Sequence, residues 1–496
     1  MTRPAALLLA LLCLGPSAAA QPPDLGARSK AAAAAMKAER YDEAARIYRE
    51  MLNAVPNEPG LLMNLGIALA MAGRETEAIE PLERAVARDP SLMPAHLFLG
   101  TSYLARGEVL KAIPPLERVV KAQPGDTDTR QTLAQAYLAA DRPADAVAQL
   151  RRVTELRPKD PGAWYALGHA YNALTQGAMA AFDDEPTDSA WRQLLVADAL
   201  HADGRYTDAF ALYRQALAQL PAMLSIHDSI AQIYEQTGHP EWAARERAKG
   251  TLPAADCSAR PALCAFRAGR HRDALEAALR GSGREADYWR VRAANELALV
   301  AFAQLEKLPD SRERREVRAT LARAQRRYLD SIAELRAALE FTPDDPGLLD
   351  DLGTSYYFAR DYEAAVKVLT PVLKAEPDDP RLLTVYGDSL LQLQQLDEAI
   401  AALQRAVDVD PGYGMARAAL ARAQVQKGNF APAVRLLEPM LGEDTDGSLH
   451  LQLARAYAGL GQQEKATALM ERSQEIQRAA QERADEIARR TISPPE

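Results

Sequence analysis

Seven histidines stand singly at positions 96, 169, 201, 227, 239, 271 and 450. No two of them take the HxxxH or HExxH spacing that would set two imidazoles on one helix face around a metal ion. Core or surface placement accounts for each, although His96 and His169 fall where they could face a binding surface. The acidic pairs Asp183-Asp184, Asp344-Asp345 and Asp378-Asp379 could in principle share a proton for acid-base catalysis. Each lies in a turn beside a proline, where an aspartate caps the next helix, and capping is the expected role. No GxSxG elbow and no GxxxxGK loop occurs, and "GSGREA" at 281-286 lacks both the third glycine and a preceding strand. The residues give no support to an enzyme, and they imply no cofactor and no metal.

Two cysteines, Cys257 and Cys264, remain beyond the N-terminal segment, in "CSARPALC". On one straight helix seven residues rise about 10 Å, which exceeds the reach of a disulfide. Pro261 suits a helix start between them, so Cys257 would lie in the preceding loop and could fold back. Two readings stay open, a structural bridge, as favoured in an exported chain, or two small buried residues. The spacing is not CxxC and no histidine pair accompanies it, so a redox or metal role is not indicated.

The elements that would position any site come from a chain of 496 residues, too long for one compact core unless it is a repeat array. Alanine, leucine, arginine and glutamate dominate and aromatics are only 6%, which favours helices, and no strand pattern is found. The 59 basic and 68 acidic residues interleave to a net charge of −9, so nucleic acid is not an expected partner. "MTRPAALLLALLCLGPSAAAQPPD" has one arginine, an apolar run from Ala5 to Leu14, and small residues Ala18 and Ala20 before Gln21. It reads as a secretory signal over 1-20, which implies export to the periplasm or the medium after cleavage near Ala20. Cys13 lacks the adjacent small residue of a lipidation site. No later segment reaches the ~20 apolar residues of a membrane span.

Internal periodicity dominates the rest of the chain. Prolines recur at one fixed interval at Pro56, Pro90, Pro124 and Pro158, and again at Pro343, Pro377 and Pro411. Leu62, Leu65, Gly66 and Leu69 form one helical stripe, followed by Ala78, Leu82, Ala85 and Pro90; Leu349, Leu352, Gly353, Tyr356, Ala365, Leu369 and Pro377 repeat it. The stripe buries one face of a first helix, and the glycine lets a second helix approach. Gly73, Gly107 and Gly428 fall where the first helix must turn. Ala78, Ala112, Ala146, Ala209, Ala365 and Ala399 give the small contact on the second helix, and the proline ends it.

The chain thereby resembles the tetratricopeptide repeat proteins, built of helix-turn-helix units of about 34 residues. Eight units close in phase, with Pro221 completing the set, and weaker ones bring the total to about 12-14. The resemblance implies an all-α, right-handed solenoid of stacked helix pairs that binds protein rather than catalyses. The phase lapses between Pro158 and Pro221, which stand short of two full periods apart, and there the stripe of Trp164, Leu167, Tyr171, Leu174, Ala178 and Phe182 runs past the expected turn. This predicts one long helix over about 162-182 with its second partner lost, and 286-310 repeats the irregularity. Tyr206 and Tyr328 are separated by the same interval as Pro221 and Pro343, as in a duplicated block. The lapse is either a built joint, re-aiming the groove or bracing two arrays, or an inherited deletion. The expected organisation is a signal over 1-20, a first array over 21-254, a loose connecting repeat over 255-283, a second array with a polar capping helix over 284-490, and a frayed tail over 491-496.

In stacked repeats of this family the first helices line a concave groove. The corresponding positions in the early units are Met63, Asn64, Ile67, Leu97, Phe98, Thr101, Gln131, Gln135, Tyr165, His169 and Asn172. That set is an apolar patch with amides beside it, which either receives a protein or extended peptide or packs on neighbouring helices. In the late units they are Asp350, Asp351, Thr354, Tyr357, Phe358, Arg381, Asp388, Arg422 and Arg455, a charged set that implies a different partner or purpose. Some family members grip a C-terminal carboxylate with a lysine and two asparagines. Asn64 fits one such position, but Ser29, Ala33 and Leu97 occupy the others, so that clamp is not expected. The function these features point to is a scaffold of the bacterial envelope. The alternative is a carbohydrate- or ligand-binding accessory protein using Trp164, Tyr165, Tyr288 and Trp289.

Overall fold

The computed structural model describes residues 25-251, 257-488 and 491-495. The segment read as an export signal, with Cys13, lies outside the described residues. Those residues form helices in consecutive pairs and no strand, the all-α solenoid architecture, in two compact units that divide between Leu156 and Arg157.

The first unit holds α1 (Leu25–Lys37), α2 (Tyr41–Ala54), α3 (Pro59–Met71), α4 (Glu75–Arg88), α5 (Met93–Ala105), α6 (Val109–Ala122), α7 (Thr127–Ala139) and α8 (Pro143–Leu156). Consecutive helices from α1 to α8 pack on one another, so no pair buries its apolar face alone. A Cβ on Gly66 would come 2.4 Å from Leu82, and one on Gly100 2.6 Å from Leu116, so glycine sets the interhelix distance. Gly73 and Gly107 both turn at φ +71°. The same left-handed turn falls on Glu39 and Asp141, with φ of 56° and 55°, where the side chain adds strain.

A second rule recurs at the closing prolines, whose carbonyls the helix leaves unpaired. His96 Nε2 lies 3.2 Å from the Pro90 oxygen, and Arg130 donates to the Pro124 oxygen at 2.9 Å. Tyrosines seven residues further on donate to a carboxylate one helix back, Tyr103 to Glu83 and Tyr137 to Glu117 at 2.6 Å.

The second unit begins with α9 (Pro161–Ala180), α10 (Ala190–Ala202), α11 (Tyr206–Gln219), α12 (Ser225–Gln236), α13 (Pro240–Lys249), α14 (Pro261–Arg267), α15 (His271–Arg280) and α16 (Arg284–Glu306). It continues with α17 (Arg312–Ala324), α18 (Tyr328–Leu339), α19 (Pro346–Phe358), α20 (Tyr362–Ala375), α21 (Pro380–Gln392), α22 (Leu396–Val409), α23 (Gly414–Lys427), α24 (Phe430–Leu437), α25 (Ser448–Gly459) and α26 (Gln463–Ala488).

Here the lapse in the repeat is explained. Helix α9 has not lost its second partner: α16 packs along it, more than a hundred residues later in the chain. Gly168, the counterpart of Gly66, faces Phe302 of α16 where the regular units present a leucine. Helix α17 then takes the place of the next first helix against α9. Residues between α9 and α16 are therefore an excursion of three helix pairs inserted inside one repeat. The 23 residues of α16, about 35 Å from end to end, serve both paths. Its first half follows α15 as the next first helix of the excursion, and its second half closes the repeat begun by α9.

Local chemistry fixes the ends. Asp160, Asp345 and Asp379 cap α9, α19 and α21, whereas Ser189, and not Asp183 or Asp184, caps α10. Gly428 turns at φ +85°, and Arg326, Arg360 and Gln394 make the equivalent turn without glycine. Cys257 lies in the turn before α14, with its Cα 5.7 Å from that of Cys264, and the two are disulfide-bonded. The tail is not frayed over its described residues: Ile492 packs on the core around α10–α14, and Tyr234 donates to the Ser493 carbonyl at 2.7 Å.

Candidate functional site

In the first unit the expected groove residues lie on α3, α5 and α7. Met63, Asn64, Ile67, Leu97, Phe98, Thr101 and Gln131 are all half-buried, and Gln135 is exposed. The large apolar side chains are thus partly covered, and Thr101 donates to the Phe98 carbonyl at 3.1 Å. His96 is not on this face, since it is buried against the Pro90 turn, and burial lowers its pKa.

In the second unit, Tyr165 and His169 of α9 meet α16 and α17. Their rings lie 4.3 Å apart, and His169 is edge-on to Phe302 at 5.5 Å. Tyr165 donates to Glu316. Burial raises the Glu316 pKa against the opposing effects of Tyr165 and of Arg312, 3.6 Å away. Asn172, one turn along α9, opens onto a cavity of about 600 Å³ lined by Met179, Leu195, Asp198, His201, Asn295, Leu299 and Phe302. A second cavity of about 860 Å³ adjoins it, lined by Ser225, Asp228, Arg247, Arg267, Phe266, Trp289 and both cysteines. Gln232, Arg292 and Glu296 line both, so the two form one trough along the first helices of the excursion.

The charge in the trough is anchored. Arg292 donates to Asp198 at 2.6 Å and to the Tyr288 hydroxyl at 2.9 Å, and Tyr213 donates to the same Asp198 oxygen at 2.7 Å. Burial works against the guanidinium, yet Asp198 holds its pKa well above the ordinary value. Asp198, Arg292 and the tyrosines are therefore structural. Around this anchor sit the amides of Asn172, Asn295 and Gln232, each able to donate and accept. Met179 and Leu299 are 45% and 64% exposed on the rim. Among the described residues no cluster of histidine, cysteine and carboxylate could hold a metal ion.

The late groove residues form a ladder between successive first helices. Arg323 of α17 pairs with Asp351 of α19, Asp350 of α19 with Arg381 of α21 at 3.1 Å, and Asp388 of α21 with Arg422 of α23 at 2.8 Å. Tyr357 adds a bond to Asp388 at 2.7 Å, and Thr354 donates to Asp350 at 3.2 Å. Thr354 and Asp388 are buried, contrary to a groove-facing role. Phe358 is exposed but stacks on Tyr328, and Arg455 is exposed.

The aromatic residues of the carbohydrate alternative differ in exposure. Tyr288 and Trp289 are buried among Trp191 and Phe266, while Trp164 donates its indole N–H to the Pro158 carbonyl at 2.9 Å. The trough residues Gln232, Arg292, Asn295, Glu296 and Leu299 escaped the sequence reading, and the last four fall on α16, where the repeat phase fails. One signal was present: Arg292, Glu296 and Leu299 share a face of α16 that neither packing stripe uses.

Three family models described as tetratricopeptide repeat match the chain, one over residues 30–92 and 351–414, one over 103–170 and 390–450, and one over 447–479. Among solved structures, MamA from Desulfovibrio magneticus RS-1 is similar at 21% identity, covering 34% of this chain and 100% of that one, with a TM-score of 0.29. MamA AMB-1 matches at 25% identity, 32% and 92% coverage, and a TM-score of 0.29. The P58(IPK) TPR domain matches at 18% identity, 77% and 99% coverage, and a TM-score of 0.23. No curated protein matches.

Proposed function

Because the chain belongs to the tetratricopeptide repeat proteins, a family of protein-interaction scaffolds, we propose that it is a non-catalytic scaffold that holds an extended segment of a partner protein in the trough between α9, α10, α12 and α16. The observation that carries this reading is the continuity of the two cavities through Gln232, Arg292 and Glu296. Amides on its walls suit the alternating donors and acceptors of a peptide backbone, and Met179, Leu299 and Phe302 suit apolar side chains. Packed helices are already ordered, so little entropy is lost by the protein on binding. The first unit supplies a second, half-buried face around Met63, Leu97 and Phe98.

The place of action is the bacterial envelope, after export directed by residues 1-20. The disulfide between Cys257 and Cys264 supports an oxidising compartment. Among the described residues no helix is long and apolar enough to cross a membrane.

The test is selection of linear peptides from a random library on the immobilised full chain. Peptides held in the trough lose at least tenfold in affinity for a Leu299→Asp chain and keep it for a Leu97→Asp, Phe98→Asp chain. The opposite pattern moves the site to the first unit, and peptides indifferent to both sets of changes overturn the proposal.

A further inference from the structure

The Tyr234 hydroxyl finds its acceptor elsewhere than those of Tyr103, Tyr137 and Tyr457 do. Tyr103 and Tyr137 donate to glutamates twenty residues earlier, and Tyr457 donates to Glu438. Twenty residues before Tyr234 stands Arg214, a residue with donors only. The hydroxyl is instead satisfied from the far end of the chain by the Ser493 carbonyl, at 2.7 Å. Tyr234 is 1% exposed, between the rings of Phe210 and Trp242, each 5.6 Å away. Ile492 packs on the same core, while Thr491 and Pro494 face out. None of the tail residues, and not Tyr234, lines the trough.

The segment has the form of a ligand. Pro494 and Pro495 cannot donate a backbone N–H, and Pro494 biases Ser493 towards an extended backbone, so Thr491–Pro495 enters neither helix nor sheet. It offers one branched apolar side chain, Ile492, and the Ser493 carbonyl that Tyr234 meets, which a preformed extended chain presents at low entropic cost.

We propose that the notch beside Tyr234 is a peptide-binding site whose resident ligand is the chain's own C-terminal segment, and that it accepts in exchange a partner segment of the same chemistry: a branched aliphatic residue, an exposed backbone carbonyl, then proline. With Arg214 in the place of that glutamate, the Tyr234 hydroxyl takes its acceptor from the tail. Tethering gives the resident segment an effective concentration on the order of millimolar, so weak intrinsic affinity keeps the notch filled until a better or multivalent partner arrives.

The test uses the full chain and a fluorescent hexapeptide, Thr-Ile-Ser-Pro-Pro-Glu, followed by anisotropy. An Ile492→Asp chain, its tail released, binds the peptide in trans, and the unmodified chain shows no binding below about 1 mM. Adding Tyr234→Phe to Ile492→Asp keeps the ring and removes the donor, and weakens binding about three- to tenfold. Circular dichroism of each variant reports folding. A folded Ile492→Asp chain that binds no peptide overturns the proposal, as does an unmodified chain that binds it equally well.

Discussion

Phe302 sits on Gly168 as Leu82 sits on Gly66, and at both glycines a Cβ would come within 2.4 Å of the opposing side chain. One repeat is thus assembled from segments more than a hundred residues apart, by the same close approach that builds the repeats contiguous in sequence.

Gly168→Ala should therefore destabilise the joint between α9 and α16. Overpacking of this kind costs about 1–3 kcal/mol. The expected outcome is a lower urea midpoint for the second unit. In a Phe302→Ala background, where the obstructing ring is gone, the same change should cost much less. Equal costs in both backgrounds would remove Phe302 as the partner of Gly168.

The stripe from Trp164 to Phe182 disclosed a long helix, and the prolines disclosed the pairs, because both are periodicities within a few turns of helix. Nothing local identifies what lies opposite Gly168. Phe302, from a helix far along the chain, does there the work that Leu82, from the very next helix, does at Gly66, and only tertiary contact shows the substitution. The same limit hid the trough, whose residues come from α9, α10, α12, α13, α14, α15 and α16. The charged late set was legible as charged, but pairing along the ladder follows from the stacking of α17, α19, α21 and α23, which positions read one unit at a time do not show.

Glu316 gives a pH signature. Its folded pKa is raised by burial, so its share of stability is complete below the ordinary carboxylate range and is lost as pH rises through the raised value. Glu316→Gln removes that loss and keeps an oxygen to accept from Tyr165. Denaturant midpoints of the two proteins should be closest near pH 4, with the variant gaining relative to the native chain towards pH 7. A difference that does not change with pH would mean that Glu316 titrates alike in both states.

Reduction of Cys257–Cys264 should act locally. Closing so short a loop stabilises by about 2–3 kcal/mol in the chain-entropy account. Stacked repeats transmit such a loss mainly to neighbours. Amide exchange should accelerate in α14 and along the adjoining wall of the trough and stay unchanged in α20. Uniform acceleration through the second unit would show that the excursion and the later repeats unfold together.

Asp198 and Asp388 each accept from one arginine and one tyrosine, yet their removal should differ. At Asp198 the arginine side chain is 20% exposed and Tyr213 is fully buried, so Asp198→Ala strands a buried charge and a buried hydroxyl. Loss of one partner of a buried pair costs about 3–5 kcal/mol. At Asp388 the Arg422 side chain is 40% exposed and can return its charge to water. Asp388→Ala should cost less, about 1–3 kcal/mol. Urea unfolding of both variants decides the order, and a larger loss at Asp388 would show that burial of the cation does not set the cost in these ladders.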